Sequence, residues 1–197
     1  MSRKRRKKKI DKKKKHARGM GQGGGKFGGV GKQTIGSSPI RDVYISPLVF
    51  EDGMGEVVIS RDLPDGNIAM VVFLVDAYCL GVKNTFLTIC SQFKYDEGIE
   101  KMRAEGGLDA AEPSYARRLI EGAVEYARDL GFKPHRDYRD ARLILGDIIP
   151  DKSLGNFSFG KDGKPLYING PDDSRQRINH ILSTLEDRCG KDGFTFY

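Results

Sequence analysis

The stretch "EVVISRDLPDGNIAMVVFLV", residues 56–75, decides the fold, because it reads as two strands joined by a tight turn. Asp65 and Gly66 separate two apolar segments, and both residue types tolerate the positive φ of a hairpin turn. The second segment, 68–75, is the longest apolar run and is closed by Asp76, so it is far shorter than a spanning helix of about 18 residues. We expect this hairpin to be the nucleus of the sheet.

Helical patterns dominate the chain after this hairpin. In the best of them, apolar residues recur at i, i+3, i+4 and i+7 from Pro113 onward, and Gly131 supplies a stop. A second amphipathic stripe begins near Asp172 or Asp173 and ends at Gly190. The expected helices cover 92–105, 113–130, 137–145 and 172/173–189.

Three further segments have strand character. "DVYISPLVF", 42–50, contains Pro47 and predicts an edge strand or a bend. "FSFGKDGKPLYI", 157–168, reads as a second hairpin around Lys161 to Lys164, and "GFTFY", 193–197, as a terminal strand. The predicted class is α+β, a mainly antiparallel sheet built from hairpins with three to four packed helices, preceded by a disordered basic arm.

Charge divides the chain into two parts. Residues 1–35 carry 14 lysines and arginines against one acid, a formal charge of +13, so a total of +7 leaves −6 on residues 36–197. Such dense like charge with few apolar residues predicts disorder. The arm is defined by twelve cations: Arg3, Lys4, Arg5, Arg6, Lys7, Lys8, Lys9, Lys12, Lys13, Lys14, Lys15 and Arg18.

A glycine-rich tether follows the arm. Its stretch "GKFGGVGKQT", 25–34, resembles a phosphate-binding loop, but Lys26 stands where the first glycine is needed and Gln33 where the hydroxyl is needed. We therefore predict a flexible linker, and two regions in the chain: an arm with its linker over 1–39 and a single α+β domain over 40–197.

The arm predicts a nucleic-acid partner, RNA or DNA, with the ribosome as one candidate, because cations laid along a phosphate backbone release counterions whatever the base sequence. A solubilising tail is the alternative. The arm lacks the apolar anchor or lipidation signal that stable membrane attachment needs, so no membrane partner is expected. Its first aromatic residue is Phe27, so stacking on bases would have to come from the body. Three widely spaced cysteines and no signal-peptide apolar segment favour a cytoplasmic location.

Four residues of the body are candidates for catalysis. Asp76 ends the apolar strand and is followed by Cys79 and Lys83, so a carboxylate that binds metal could lie beside a lysine that polarises a phosphate. His135 and Asp137 could form an acid–base pair. Both pairs have structural alternatives, since Asp76 and Asp137 can cap turns or helices and Cys79 can be a core residue. No cofactor is expected, and a divalent metal only if the protein is an enzyme.

An anion could also bind where Lys161, Lys164, Arg175 and Arg177 gather near a predicted helix N-terminus, although ordinary surface charge is the alternative. The segments "FLVDAYCLGVKNTF" and "GKPLYINGP" resemble an uncharacterised bacterial protein family over residues 45–197. That resemblance implies no activity and transfers no functional residue.

Three functions remain open from the sequence. The first is a non-enzymatic nucleic-acid-binding protein whose acidic body contacts something else. The second is a nuclease-like or phosphoesterase-like enzyme that uses the arm as a substrate anchor. The third is a protein-interaction module.

Overall fold

The computed structural model describes residues 32–150, 157–170 and 173–197. Its main sheet is antiparallel, with five strands in the spatial order β4-β3-β2-β1-β5. The strands are β1 Ile40–Ile45, β2 Met54–Asp62, β3 Ile68–Asp76, β4 Gly81–Cys90 and β5 Asp109–Ala110. A small parallel sheet contains β6 Leu166–Tyr167 and β7 Thr195–Phe196. The helices are α1 Lys32–Ser37, α2 Leu48–Glu51, α3 Gln92–Gly106, α4 Pro113–Asp129, α5 Tyr138–Ala141, a 3-10 helix at Arg142–Leu145, and α6 Arg175–Cys189. The predicted α+β class with a mainly antiparallel sheet is confirmed.

The central hairpin forms as the sequence predicts. β2 and β3 pair from Asp62 opposite Ile68 to Met54 opposite Asp76, and Asp65-Gly66 lie in the turn between them. Gly66 has a φ of 78°, and the Asp65 carboxylate accepts a hydrogen bond from the main-chain N–H of Asn67. The turn chemistry therefore sets the register of the two longest apolar segments.

Both faces of the sheet are covered, which is why β3 is apolar at every position before Asp76. One face packs against α4, α5 and the 3-10 helix and forms the largest core cluster, which includes the fully buried Phe73. The opposite face is covered by α3 near the β2–β3 turn. Leu166 and Ile168 cover its other end. This second end of the sheet holds the charged residues considered below.

The folded body begins earlier than residue 40. Ile35 in α1 is fully buried in the main core, and the main-chain N–H of Asp147 donates a hydrogen bond to the Gly36 carbonyl. Residues 32–39, which the sequence places in the linker, are therefore part of the body. The twelve cations of the arm lie outside the described residues.

The C-terminal half differs from prediction in its strand pairing. Lys161 and Lys164 form the expected turn with one isolated bridge. The following strand, β6, then pairs in parallel with β7 at the chain end, so the predicted second hairpin is wrong beyond its turn. The predicted terminal strand is confirmed as β7. The last helix begins at Arg175, because the Ser174 side chain caps it by accepting a hydrogen bond from the Arg177 N–H.

Two strands of the main sheet also differ from the sequence interpretation. β1 lies between β2 and β5, so the predicted edge strand is wrong, but the alternative of a bend agrees with the structure, because β1 ends at Ile45 and Pro47 caps α2. β4 has no counterpart among the predicted strands and is an edge strand of the main sheet. None of the helices in the described part of the chain has the length and apolar content needed to cross a bilayer.

Candidate functional site

A β-bulge brings Lys83 beside Asp76. Asp76 is the last residue of β3 and lies opposite Gly81, and Val75 lies opposite Val82. The next pair is Leu74 with Asn84, so Lys83 is an extra residue in the β4 ladder. A bulge of this kind redirects a side chain, and here the ammonium group lies on the face that also carries Asp76.

Asp76 and Lys83 form a buried ion pair. The distance from Lys83 Nζ to Asp76 Oδ2 is 3.8 Å, and their side chains are only 5% and 4% exposed. The other carboxylate oxygen accepts hydrogen bonds from the main-chain N–H groups of Tyr78 and Cys79, at 3.1 and 3.0 Å. Asp76 therefore fixes the β3–β4 turn as well as neutralising the lysine.

The Lys83 ammonium has no hydrogen-bond partner among the described residues, although it is buried. Its nitrogen lies 6.0 Å from the centre of the Tyr167 ring, within the range of a cation–π interaction. A buried ammonium with three unused donors is costly unless a further acceptor is supplied. This is the property that distinguishes the pair from an ordinary surface ion pair.

Burial shifts the acid–base behaviour of the neighbouring groups. It raises the pKa of the Asp76 carboxyl, while the Lys83 charge and the main-chain N–H donors act in the opposite direction. Burial, with Asp76 beside it, also raises the pKa of the Cys79 thiol far above its ordinary value. Cys79 is therefore held as the neutral thiol and is a poor nucleophile at neutral pH.

A polar chain extends from Tyr167 to the start of α6. The Tyr167 hydroxyl donates to Asp173 Oδ2 at 3.1 Å, and the Gly170 N–H donates to the same oxygen at 2.7 Å. Arg177 Nε lies 3.4 Å from the other oxygen, Oδ1. The ring that covers Lys83 is thus held in place by a carboxylate that is itself anchored to α6.

His135 and Asp137 lie against the outer edge of β4. The His135 N–H donates to the Val82 carbonyl at 2.9 Å, which links the pair to the residue before Lys83. His135 Nδ1 accepts a hydrogen bond from the Asp137 N–H at 3.3 Å and lies 3.7 Å from Asp137 Oδ2. Partial burial lowers the pKa of His135, so the imidazole is neutral at pH 7.

The structure thus arranges the four candidate residues as two pairs, each of which contacts β4. Asp76 with Lys83 lies on the sheet face, and His135 with Asp137 lies at the strand edge. The main-chain hydrogen bond from His135 to Val82 is the contact that joins them. Within residues 32–150, 157–170 and 173–197, no three metal-binding side chains come together.

Three of the four basic residues near α6 have separate partners. Lys164 Nζ donates to the Asp192 carbonyl, Lys161 Nζ lies over the Tyr78 ring, and Arg177 pairs with Asp173. Arg175 is exposed in the first turn of α6. Because Ser174 already caps this helix, these residues provide no assembled anion site.

A row of aromatic rings at the surface was not predicted from the sequence. Phe50, Tyr115 and Phe157 contact one another, and Phe159 and Tyr126 continue the row inward. We call Phe50, Tyr115 and Phe157 the aromatic strip. Its members come from α2, α4 and the segment before the 161–164 turn, so no local sequence pattern connects them.

Comparisons with known proteins add no assignment. No protein-family model, curated protein or solved structure matches the chain. The function is therefore argued from the residues and geometry described above.

Proposed function

We propose that the protein binds nucleic acid, RNA or DNA, through its cationic arm, and that the body is the folded anchor of that arm. The observation that carries the proposal is the segregation of charge, +13 on residues 1–35 and −6 on the remainder. Polyanion binding by such an arm gains free energy from counterion release. The net negative charge of the body gives it no electrostatic attraction to the same polymer, so any contact that the body makes with a nucleic acid, a protein or a ribosome needs another basis.

The described part of the chain begins with α1, which is fixed to the body. The buried Ile35 and the hydrogen bond to the Gly36 carbonyl fix α1 to the body, so binding at the arm places the body beside the nucleic acid. The described cysteines are all free thiols, which is in keeping with a reducing cytoplasm.

The test compares two charge variants of the full chain. Six arm lysines are changed to glutamine in the first, and six exposed body cations in the second. If six arm charges engage duplex DNA, the slope of log affinity against log salt is about −5 for the parent and clearly shallower for the first variant, which keeps only six of the twelve arm cations. The arm set is Lys7, Lys8, Lys9, Lys12, Lys13 and Lys14, and the body set is Lys94, Lys101, Lys133, Arg136, Arg139 and Lys191.

The body variant loses the same formal charge as the arm variant, but at positions outside the proposed binding segment. It should therefore keep the salt slope of the parent. Equal loss of affinity in both variants would contradict the proposal. Sequencing the nucleic acid that copurifies with the full chain distinguishes RNA from DNA.

An enzyme acting on nucleic acid or a phosphate ester is the second candidate. Its support is the 3.8 Å contact between Asp76 and Lys83 and the unused donors of the lysine. The test is hydrolysis of single-stranded and duplex substrates by the full chain with Mg²⁺ or Mn²⁺ added, alongside the His135→Gln variant. Unchanged binding with lost turnover supports the enzyme, and no turnover by the parent under any metal condition contradicts it.

A further inference from the structure

We propose that the aromatic strip is a stacking surface for the unpaired bases of a single-stranded nucleic acid held by the arm. This inference rests on the proposed nucleic-acid function and names its substrate class. It concerns a surface of the body that is separate from the Asp76–Lys83 pair.

The three rings of the strip contact one another. The Phe50 and Phe157 rings are parallel to within 12°, with 6.4 Å between their centres. Tyr115 lies 4.7 Å from Phe157 and 6.4 Å from Phe50, tilted against both. Phe50 is 49% exposed, whereas Phe157 and Tyr115 are half-buried and rest on the core. The strip is therefore rigid at its base and open at Phe50.

An arginine side chain lies beside the strip. The Arg118 guanidinium lies 5.6 Å from the centre of the Phe157 ring. A guanidinium beside aromatic rings is the combination that stacks on bases and attracts their phosphates. Glu51, exposed next to Phe50, works against the phosphates, so the strip needs the charge of the arm to retain a polyanion.

Helix α4, which carries Tyr115 of the strip, also contacts the segment that lies against α1. Gly36 of α1 contacts Asp147 through a main-chain hydrogen bond of 3.2 Å. The Arg117 side chain donates to the carbonyls of Gly146 and Ile148 in the same segment, and Arg117 lies two residues after Tyr115 in α4. Helix α4 is thus the element that connects the strip with the segment beside α1.

Stacking distinguishes single strands from duplexes. Every base has a π face, so the contact tolerates any sequence, but paired bases in a duplex cannot present their faces to the strip. The arm supplies affinity for any polyanion, and the strip is expected to add a preference for unpaired strands of about tenfold.

The chain contains no tryptophan, which makes a selective reporter possible. Phe50→Trp keeps an aromatic ring at the strip and introduces a single tryptophan. Oligouridine added to the full chain should quench its fluorescence, and the same strand annealed to oligoadenosine should quench it far less. Phe93→Trp is the matched control, since Phe93 is 77% exposed on α3 at the opposite face of the sheet.

Affinity measurements complete the test. Phe50→Ala should weaken oligouridine binding about tenfold with little effect on the duplex, while Phe93→Ala changes neither. Parent-like binding by Phe50→Ala, or equal quenching at positions 50 and 93, overturns the stacking surface and leaves the arm proposal intact. Absence of any binding by the parent overturns the arm proposal itself. If the fluorescence of the Phe50→Trp variant changes with protein concentration in the absence of nucleic acid, a second copy of the chain occupies the strip. That result also overturns the inference.

Discussion

Arg61 and Asp147 form an ion pair across 86 residues of sequence, with 2.8 Å between Nη2 and Oδ1. The arginine is fully buried on β2, whereas the aspartate side chain is 69% exposed. The guanidinium also donates to the carbonyls of Ser38 and Ile144. One side chain therefore joins the sheet, the segment after α1 and the end of the 3-10 helix.

Replacing Arg61 by methionine should destabilise the protein by about 3 kcal/mol, because it leaves buried carbonyl groups without their donor. Urea unfolding of parent and variant measures the change. Arg41→Met is the control, since Arg41 is partly exposed in its own ion pair with Asp62 and should cost about 1 kcal/mol or less. Equal losses at the two positions would contradict the role assigned to Arg61.

The contribution of Asp147 to stability should depend on pH. The hydrogen bond from Arg61 lowers the pKa of the Asp147 carboxyl below its ordinary value of 3.8. A carboxyl with a lowered folded-state pKa stabilises the fold above its unfolded pKa, and this stabilisation is lost as the pH falls through the folded value. The difference between parent and Asp147→Asn should therefore be constant from pH 5 to 7 and shrink below about pH 4.

Denaturant midpoints measured across this pH range provide the check. Asp187→Asn, at an exposed position on α6, serves as the control and should follow the parent at every pH. A difference between parent and Asp147→Asn that grows on acidification would contradict the assignment.

Asp76 and Lys83 should behave as a coupled pair. Lys83→Met or Asp76→Asn alone breaks the buried pair and should cost about 3–5 kcal/mol. The double variant should cost less than the sum of the two, since no unpaired charge then remains. Unfolding free energies of the four proteins give the coupling, and additive losses would show that the two groups do not interact.

Gly81→Ala should be much more damaging than Gly66→Ala, although both glycines have positive φ, 64° and 78°. At Gly81 an added Cβ would lie 2.6 Å from the Ala123 carbonyl oxygen and 2.8 Å from the Ala127 Cβ, so α4 would have to move. At Gly66 nothing lies within 4 Å, which leaves only the backbone strain of about 1–2 kcal/mol. Thermal unfolding of both variants tests the close approach of α4 to the sheet.

Ile35→Ala should cost roughly 3 kcal/mol, because Ile35 is fully buried in the main core. A chain shortened to begin at Lys32 should unfold like the full chain, whereas one beginning at Gly36 should be less stable by a similar amount. Equal stability of the two shortened chains would place the start of the body after α1.

The central hairpin and α4 could be predicted because their signals are local: a turn dipeptide between two apolar runs, and a helical stripe bounded by Pro113 and Gly131. The pairing of β6 with β7 could not be predicted, since it joins segments 29 residues apart in sequence, and this long-range contact prevails over the local hairpin signal. β4 was not predicted, because the turn before it, Ala77 to Leu80, contains none of the usual turn residues.

The sequence suggested the residues of the two candidate pairs but not their geometry. Asp76 and Lys83 were chosen by chemistry, and their contact depends on a bulge that no sequence pattern announces. The aromatic strip was missed because its rings come from three separate segments. The sequence alone gives no sign that Arg61 is buried, because the carbonyl groups that accept its hydrogen bonds belong to distant segments of the chain.

The pairing on either side of Lys83 has one more consequence. Val82 already faces Val75, and Asn84 already faces Leu74, so excision of Lys83 alone would leave a regular ladder with every other partner unchanged. The regular pairing of the strands does not require this amino acid, yet it is present and its cation is buried beside Asp76. The extra residue therefore serves the charge balance of the buried carboxylate and not the regularity of the sheet.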